Sequence, residues 1–125
     1  MSYKKESAAR LGQEGERRVA EYLRSKGYII IKRNFRDRYG EIDIIAEKGN
    51  EMVFVEVKTR TENALVSGME AITYQKQIRL YKTAAIFLQR INGDYISRFD
   101  AAEVTVSSKP DGELIWKLRY IENAF

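Results

Sequence analysis

The period of apolar and polar residues changes several times along this chain, and each change predicts an element. From about Ser7 to Lys26 the apolar positions Leu11, Val19, Tyr22 and Leu23, with Gly15 among them, recur at helical spacing and predict an amphipathic helix. Ser7 is placed to cap its start and Gly27 to end it, leaving residues 1–6 as a frayed end. Tyr28 to Phe35 reads as a strand, whose three consecutive isoleucines predict burial on both faces. Between Gly40 and Arg60 the period becomes two. Ile42, Ile44 and Ala46 alternate with Glu41, Asp43 and Ile45, then Val53, Val55 and Val57 with Phe54, Glu56 and Lys58, about a turn at Gly49-Asn50. This is a β-hairpin.

After it comes a loop of small and polar residues, Thr61 to Gly68, a candidate mobile segment near the hairpin. A second helix is predicted from Thr73, its cap, to about Ile91, with Ile78, Tyr81, Ala85 and Leu88 inward. Phe99 to Val106 and Leu114 to Ile121 read as strands joined by the turn Lys109-Pro110-Asp111-Gly112. The order α β β β α β β, with apolar central strands, predicts an α/β fold, a mixed β-sheet flanked by helices. At 125 residues, 44% of them hydrophobic, the whole chain 1–125 is expected to be one domain.

Composition narrows the chemistry. Cysteine and histidine are both absent, so thiolate and imidazole metal sites and Ser-His-Asp or Cys-His catalysis are excluded, and carboxylates and amines remain. No apolar run reaches the roughly 20 residues that span a bilayer, and the first residues lack a signal-peptide core, so no membrane partner and a cytoplasmic location are expected. A net charge of +4 suits a polyanionic partner. Lys32, Arg33, Arg36 and Arg38 precede the hairpin, and Arg17, Arg18, Lys76, Arg79, Lys82 and Arg90 lie on the predicted helices.

The hairpin register makes the acids interesting. A turn centred between Gly49 and Asn50 opposes Asp43 to Glu56, Glu41 to Lys58 and Ile45 to Phe54, with directly opposed Cβ atoms about 4.5–5.5 Å apart. Two carboxylates at that spacing repel, and a hard divalent cation between them would remove the repulsion. Lys58, two residues past Glu56, projects from the same face. On spacing alone a second reading stands beside this one, an ordinary Glu41–Lys58 pair with Asp43 and Glu56 solvated. Glu16 likewise reads, on its own, as a boundary glutamate paired with Arg17 or Arg18. Gln77 and Tyr81 are one helical turn apart and share a face.

Asp43 followed by Glu56-Val57-Lys58 resembles the signature of the PD-(D/E)XK nuclease superfamily. With Gly15-Glu16, Gly40-Glu41-Ile42-Asp43, Val53-Phe54-Val55-Glu56-Val57-Lys58-Thr59-Arg60 and Lys76-Gln77 in that order, the chain resembles the YraN-like (UPF0102-type) family of uncharacterised bacterial proteins. The similarity runs from about Gly12 to Val106. It implies a restriction-endonuclease-like core and a metal-dependent endonuclease acting on nucleic acid, with DNA the expected partner. The alternative is a nucleic-acid-binding or scaffold protein that keeps the fold without cleaving. The resemblance implies Mg²⁺ or Mn²⁺ held by Asp43, Glu56 and the Val57 carbonyl, with Glu41 a further candidate. It makes Asp43, Glu56, Lys58 and Glu16 the catalytic set, reversing the bland reading of Glu16. Gln77 and Tyr81 match a Q-x-x-x-Y arrangement of some superfamily branches, and with Lys76, Arg79, Arg36 and Arg60 they are the candidate nucleic-acid contacts.

Overall fold

The computed structural model describes residues 5–62 and 72–125. The elements are α1 (Lys5–Ser25), β1 (Ile29–Arg36), β2 (Glu41–Lys48), β3 (Glu51–Thr61), α2 (Tyr74–Gln89), β4 (Ile96–Ser108) and β5 (Leu114–Ile121). The five strands form one sheet in chain order. All neighbours are antiparallel except β3 and β4, the pair joined through α2, as a parallel pair requires a long crossover. The fold is the expected α/β sandwich, with a mixed sheet between two helices.

Each helix covers one face. Val19, Ala20 and Leu23 of α1 bury Ile44, Ala46, Val53, Val55, Val57, Ala102 and Val104. Leu80, Ala84 and Phe87 of α2 bury Phe35, Ile42, Ile45, Met52 and Phe54. Helix α1 closes in a Schellman motif, in which Tyr28 N–H donates to the Leu23 carbonyl and Gly27 N–H to that of Arg24, both at 3.0 Å. Gly27 takes the φ of +92° that this motif needs. Gly15 lets α1 lie close on β3: a Cβ there would stand 2.1 Å from Thr59 Oγ1.

Several expectations need correction. Lys5 and Glu6 are already helical, so Ser7 is an interior position of α1 and not its cap. The isoleucines of β1 are not buried on both faces, because β1 is an edge strand: Ile29 is 63% exposed and Ile31 40%. The buried stripe of α2 is Leu80, Thr83, Ala84 and Phe87, whereas Tyr81 and Ala85 are exposed. The stripe was misread because it carries Thr83 and Lys76, polar residues that each meet a carboxylate. Thr73 does cap α2, its side chain accepting from Lys76 N–H. The expected loop falls mainly on residues 63–68, outside the described residues. Among the described residues, no helix is long and apolar enough to cross a membrane.

Candidate active site

The hairpin pairs in the predicted register from Lys48↔Glu51 to Ile44↔Val55, with Ile45 opposite Phe54, and there the ladder stops. Beyond that point β2 continues on β1 (Ile42↔Phe35, Glu41↔Arg36), while β3 continues on β4 as far as Thr61↔Val106. The two strands part like a fork, with Asp43 and Glu56 at its apex. Alternation breaks at the same place. Ile44 joins the α1 cluster and Ile42 the α2 cluster, although two positions apart should share a face. On β1, Asn34, between Arg33 and Phe35, takes a φ of +54°, and the register of β1 on β2 shifts further back, between Ile30 and Lys32.

The twist turns Asp43 onto β3, where its Oδ2 accepts the Val57 N–H at 2.7 Å in place of a ladder bond. Asp43 also lies close enough to Glu56 to feel its charge. Burial first, then the charge of Glu56, raises the Asp43 carboxyl to about 8; the Val57 N–H works against that rise and Glu16 adds to it. Glu56 is 4% exposed. Its Oε1 faces two ammonium groups, Lys76 Nζ at 3.0 Å and Lys58 Nζ at 3.3 Å. Burial lowers the pKa of Lys58, with the neighbouring Lys76 adding to the effect and Glu56 opposing it. Burial also works to lower Lys76, but its contacts with Lys58 and Glu56 outweigh that and carry it above the ordinary lysine value.

These groups open into a cleft of about 730 Å³ lined by Arg38, Tyr39, Gly40 and Glu41 on one side and Lys76, Arg79 and Leu80 on the other. The β1–β2 connection that forms its wall is fastened to α2. Asp37 Oδ1 accepts from Tyr39 N–H at 2.8 Å, Gly40 N–H at 3.1 Å and Thr83 Oγ1 at 3.0 Å. Burial pushes the Asp37 carboxyl up, but these bonds and the nearby Arg90 bring it below the usual range. Arg38 and Lys82 both lie over the Tyr39 ring, at 5.0 and 5.3 Å.

The remaining sequence candidates distribute unevenly. Glu41 lines the cleft but pairs with Arg36 Nε at 2.5 Å and not with Lys58, because the hairpin ladder has ended before it. Glu16 lies 3.5 Å from Arg33 Nη2, while Arg17 and Arg18 are both held by Glu14 at 2.7 Å. Glu16 shares a smaller hollow with Lys58, Thr59 and Arg60 on the α1 side of β3. Gln77 and Tyr81 are not among the residues lining the acid cleft. Gln77 Nε2 donates to the Ile72 carbonyl at 3.3 Å, and Tyr81 packs edge-on against Phe99 at 4.7 Å. Lys32 lies along the β1 edge and is exposed, like Arg36. Sequence reasoning missed Lys76 as a partner of Glu56 and Tyr39 as a wall of the cleft. Lys76 was findable, since it stands four residues before Leu80 on the buried stripe.

A second buried ionic group lies on the α1 face of β4. Asp100, with no exposed surface, accepts from Arg98 Nη2 at 2.9 Å, Tyr120 Oη at 2.5 Å and Asn123 N–H at 3.0 Å. Arg98 also reaches Tyr28 Oη at 2.8 Å. It pairs further with Glu51 at 3.4 Å and Glu122 at 3.7 Å, so the group ties β4 to β5, to the start of β3 and to Tyr28 just before β1.

Residues 15–104, which contain Glu16, the whole fork and Lys76, match the sequence model of the uncharacterised protein family UPF0102. The chain is 45% identical over 118 residues to a UPF0102 protein of Alkaliphilus metalliredigens, covering 92% of this chain and 96% of that one. It is 46% identical over 117 residues to one of Symbiobacterium thermophilum (93% and 96% covered) and 42% over 117 residues to one of Clostridium botulinum (92% and 93%). The chain therefore belongs to the UPF0102 family, the YraN-like family that its motifs resemble.

Proposed function

We propose that this protein is a metal-dependent nuclease that hydrolyses phosphodiester bonds of nucleic acid at the fork between β2 and β3. The observation that carries the reading is the Asp43–Glu56 pair, two acids lining one cleft, half-buried and buried, the charge of one raising the proton affinity of the other, beside Lys58 and walled by Arg38, Lys76 and Arg79. A sequence selected for stability alone avoids two such acids side by side. Among the described residues no three acids converge. Two carboxylates with the Val57 carbonyl beside them suit Mg²⁺ or Mn²⁺, since Mg²⁺ is commonly held by one or two carboxylates together with substrate phosphates.

When bound, such a metal supplies Lewis-acid stabilisation of the phosphate and a more acidic water. The protein does the rest. Asp43 and Glu56 would hold the cation, Asp43 oriented by the Val57 N–H. Lys58, its affinity for a proton reduced by burial, orients the attacking water and accepts a proton from it. Arg38, Arg79 and Lys76 hold the phosphate backbone across the cleft. Glu16, on the far side of Lys58, tunes Asp43 through its charge.

The test uses purified protein with labelled DNA and RNA, single-stranded and duplex, in Mg²⁺, Mn²⁺ or chelator. Cleavage should require metal and fall at least about 100-fold in Asp43→Asn, Glu56→Gln and Lys58→Met. Equal rates in wild type and variants would assign the cleavage to a contaminant. Salt-sensitive binding without cleavage would favour the binding-only alternative, and no binding to any nucleic acid would remove both.

A further inference from the structure

Glu56 Oε1 carries two ammonium groups, which come from different elements. Lys58 sits on the same strand as Glu56, and its side chain is 18% exposed. Lys76 comes from the first turn of α2, and its side chain is 33% exposed at the mouth of the cleft. A lysine is electrostatically out of place in the first turn of a helix, where the dipole favours anions. No acidic residue occupies that turn to balance it. What holds Lys76 is Glu56, and the position beside Oε1 is the one a divalent cation would share between Glu56 and Asp43.

We propose that Lys76 is an exchangeable stand-in for the metal: it leaves Glu56 when the cation enters and moves to a phosphate of the incoming nucleic acid. This rests on the nuclease reading above and adds the order of events. Asp43 and Glu56 together carry at most two negative charges, and Lys58 and Lys76 already match them. A dication added to that arrangement meets two ammonium groups at close range, so free protein binds metal weakly. A phosphodiester draws Lys76 away and adds negative charge beside the cation. The first turn of α2, whose dipole opposes the lysine, favours the phosphate. Metal and nucleic acid then bind as a coupled pair, each raising the affinity of the other by the same factor.

Mn²⁺ binding to the free protein, read by electron paramagnetic resonance, tests this without any activity measurement. Lys76→Met should bind Mn²⁺ at least about tenfold more tightly than wild type, while Lys82→Met on the same helix changes little. Equal affinity in wild type and Lys76→Met, or equal gains in both variants, would overturn the exchange while leaving the metal site standing. No Mn²⁺ binding by any of the three proteins would overturn the nuclease reading and this inference with it. Should Lys76→Met fail to fold, wild type alone decides. The anisotropy of a fluorescent DNA oligonucleotide at constant ionic strength should report tighter binding in saturating Ca²⁺ than in chelator, and no difference would refute the coupling.

Discussion

Neutralising Asp43 should stabilise the metal-free protein, and the effect should grow with pH. The Asp43 carboxyl moves from 3.8 in the unfolded chain to about 8 in the folded one, chiefly through burial and secondly through Glu56. Between those two values the folded state holds a proton that the unfolded state has released. Stability therefore falls as pH rises through that window, by up to about 1.4 kcal/mol per unit. Asparagine keeps the acceptor for Val57 N–H and can donate to Glu56, but it has no proton to lose. Asp43→Asn should thus equal wild type near pH 4 and exceed it by about 1–3 kcal/mol at pH 7, the lower part of the range applying if Lys58 and Lys76 close on the pair as it ionises. Urea midpoints of both proteins at pH 5, 6, 7 and 8 in chelator measure this directly.

Metal should reverse the ranking. At free Mn²⁺ one hundred times the dissociation constant, wild type should gain about 2.7 kcal/mol, and the variant, with a neutral ligand in place of a carboxylate, much less. Parallel pH profiles for the two proteins in chelator would refute the strained acid pair. Equal responses to Mn²⁺ would refute the shared cation.

Three other perturbations separate the parts of the molecule. Gly15→Ala should cost about 1–3 kcal/mol in urea unfolding, because its Cβ collides with Thr59 Oγ1 at 2.1 Å, and adding Thr59→Ala should recover much of the loss. Asp100→Asn should cost about 2–4 kcal/mol by taking from Arg98 its buried counter-charge and leaving only the longer, more exposed pairs with Glu51 at 3.4 Å and Glu122 at 3.7 Å, and a loss below about 1 kcal/mol would show that those two suffice. Arg38→Ala and Arg79→Ala should each reduce the slope of log affinity for DNA against log salt by about 0.9, whereas Tyr81→Phe should leave it unchanged; equal slopes in all three would place the phosphate path elsewhere.

The α/β order, the turn at Gly49-Asn50 and the inner hairpin register were legible because period-two alternation and a glycine turn act over short range. The fork was not. It depends on β3 changing partners, from β2 and β4 together up to Val55 to β4 alone among its strand neighbours beyond it, and strand order is a tertiary fact. Sequence arithmetic therefore set Asp43 and Glu56 as neighbours at the end of the hairpin, where their charges interact, but carried the ladder too far, to Asp43–Glu56 and Glu41–Lys58 cross-strand pairs that do not form. The α2 stripe failed for a related reason. Hydrophobic periodicity assumes that buried means apolar, yet Thr83 serves Asp37 and Lys76 serves Glu56 from the buried side of the helix. The isoleucines of β1 misled because nothing local to Ile29–Ile31 says that no strand will pair on their outer side.

Asp100 and Glu56 contrast a buried acid whose partners are fixed with one whose partners are exchangeable, as the proposed function requires. They lie on neighbouring strands, with Ala101 beside Glu56 in the register, and both are almost sealed from solvent. Asp100 uses both oxygens on donors whose own positions are fixed: a guanidinium that is itself buried, a phenol on β5 and a backbone N–H. Removing any of these would leave a buried polar group without its partner. Glu56 has instead two lysine ammonium groups on flexible stems and a neighbour, Asp43, that is itself an acid. In the proposed function each of those partners would rearrange as a dication and a phosphate bind. The parting of β2 and β3 is the opening through which they would arrive. Burial alone thus does not mark the reactive acid; burial among partners that can be exchanged does.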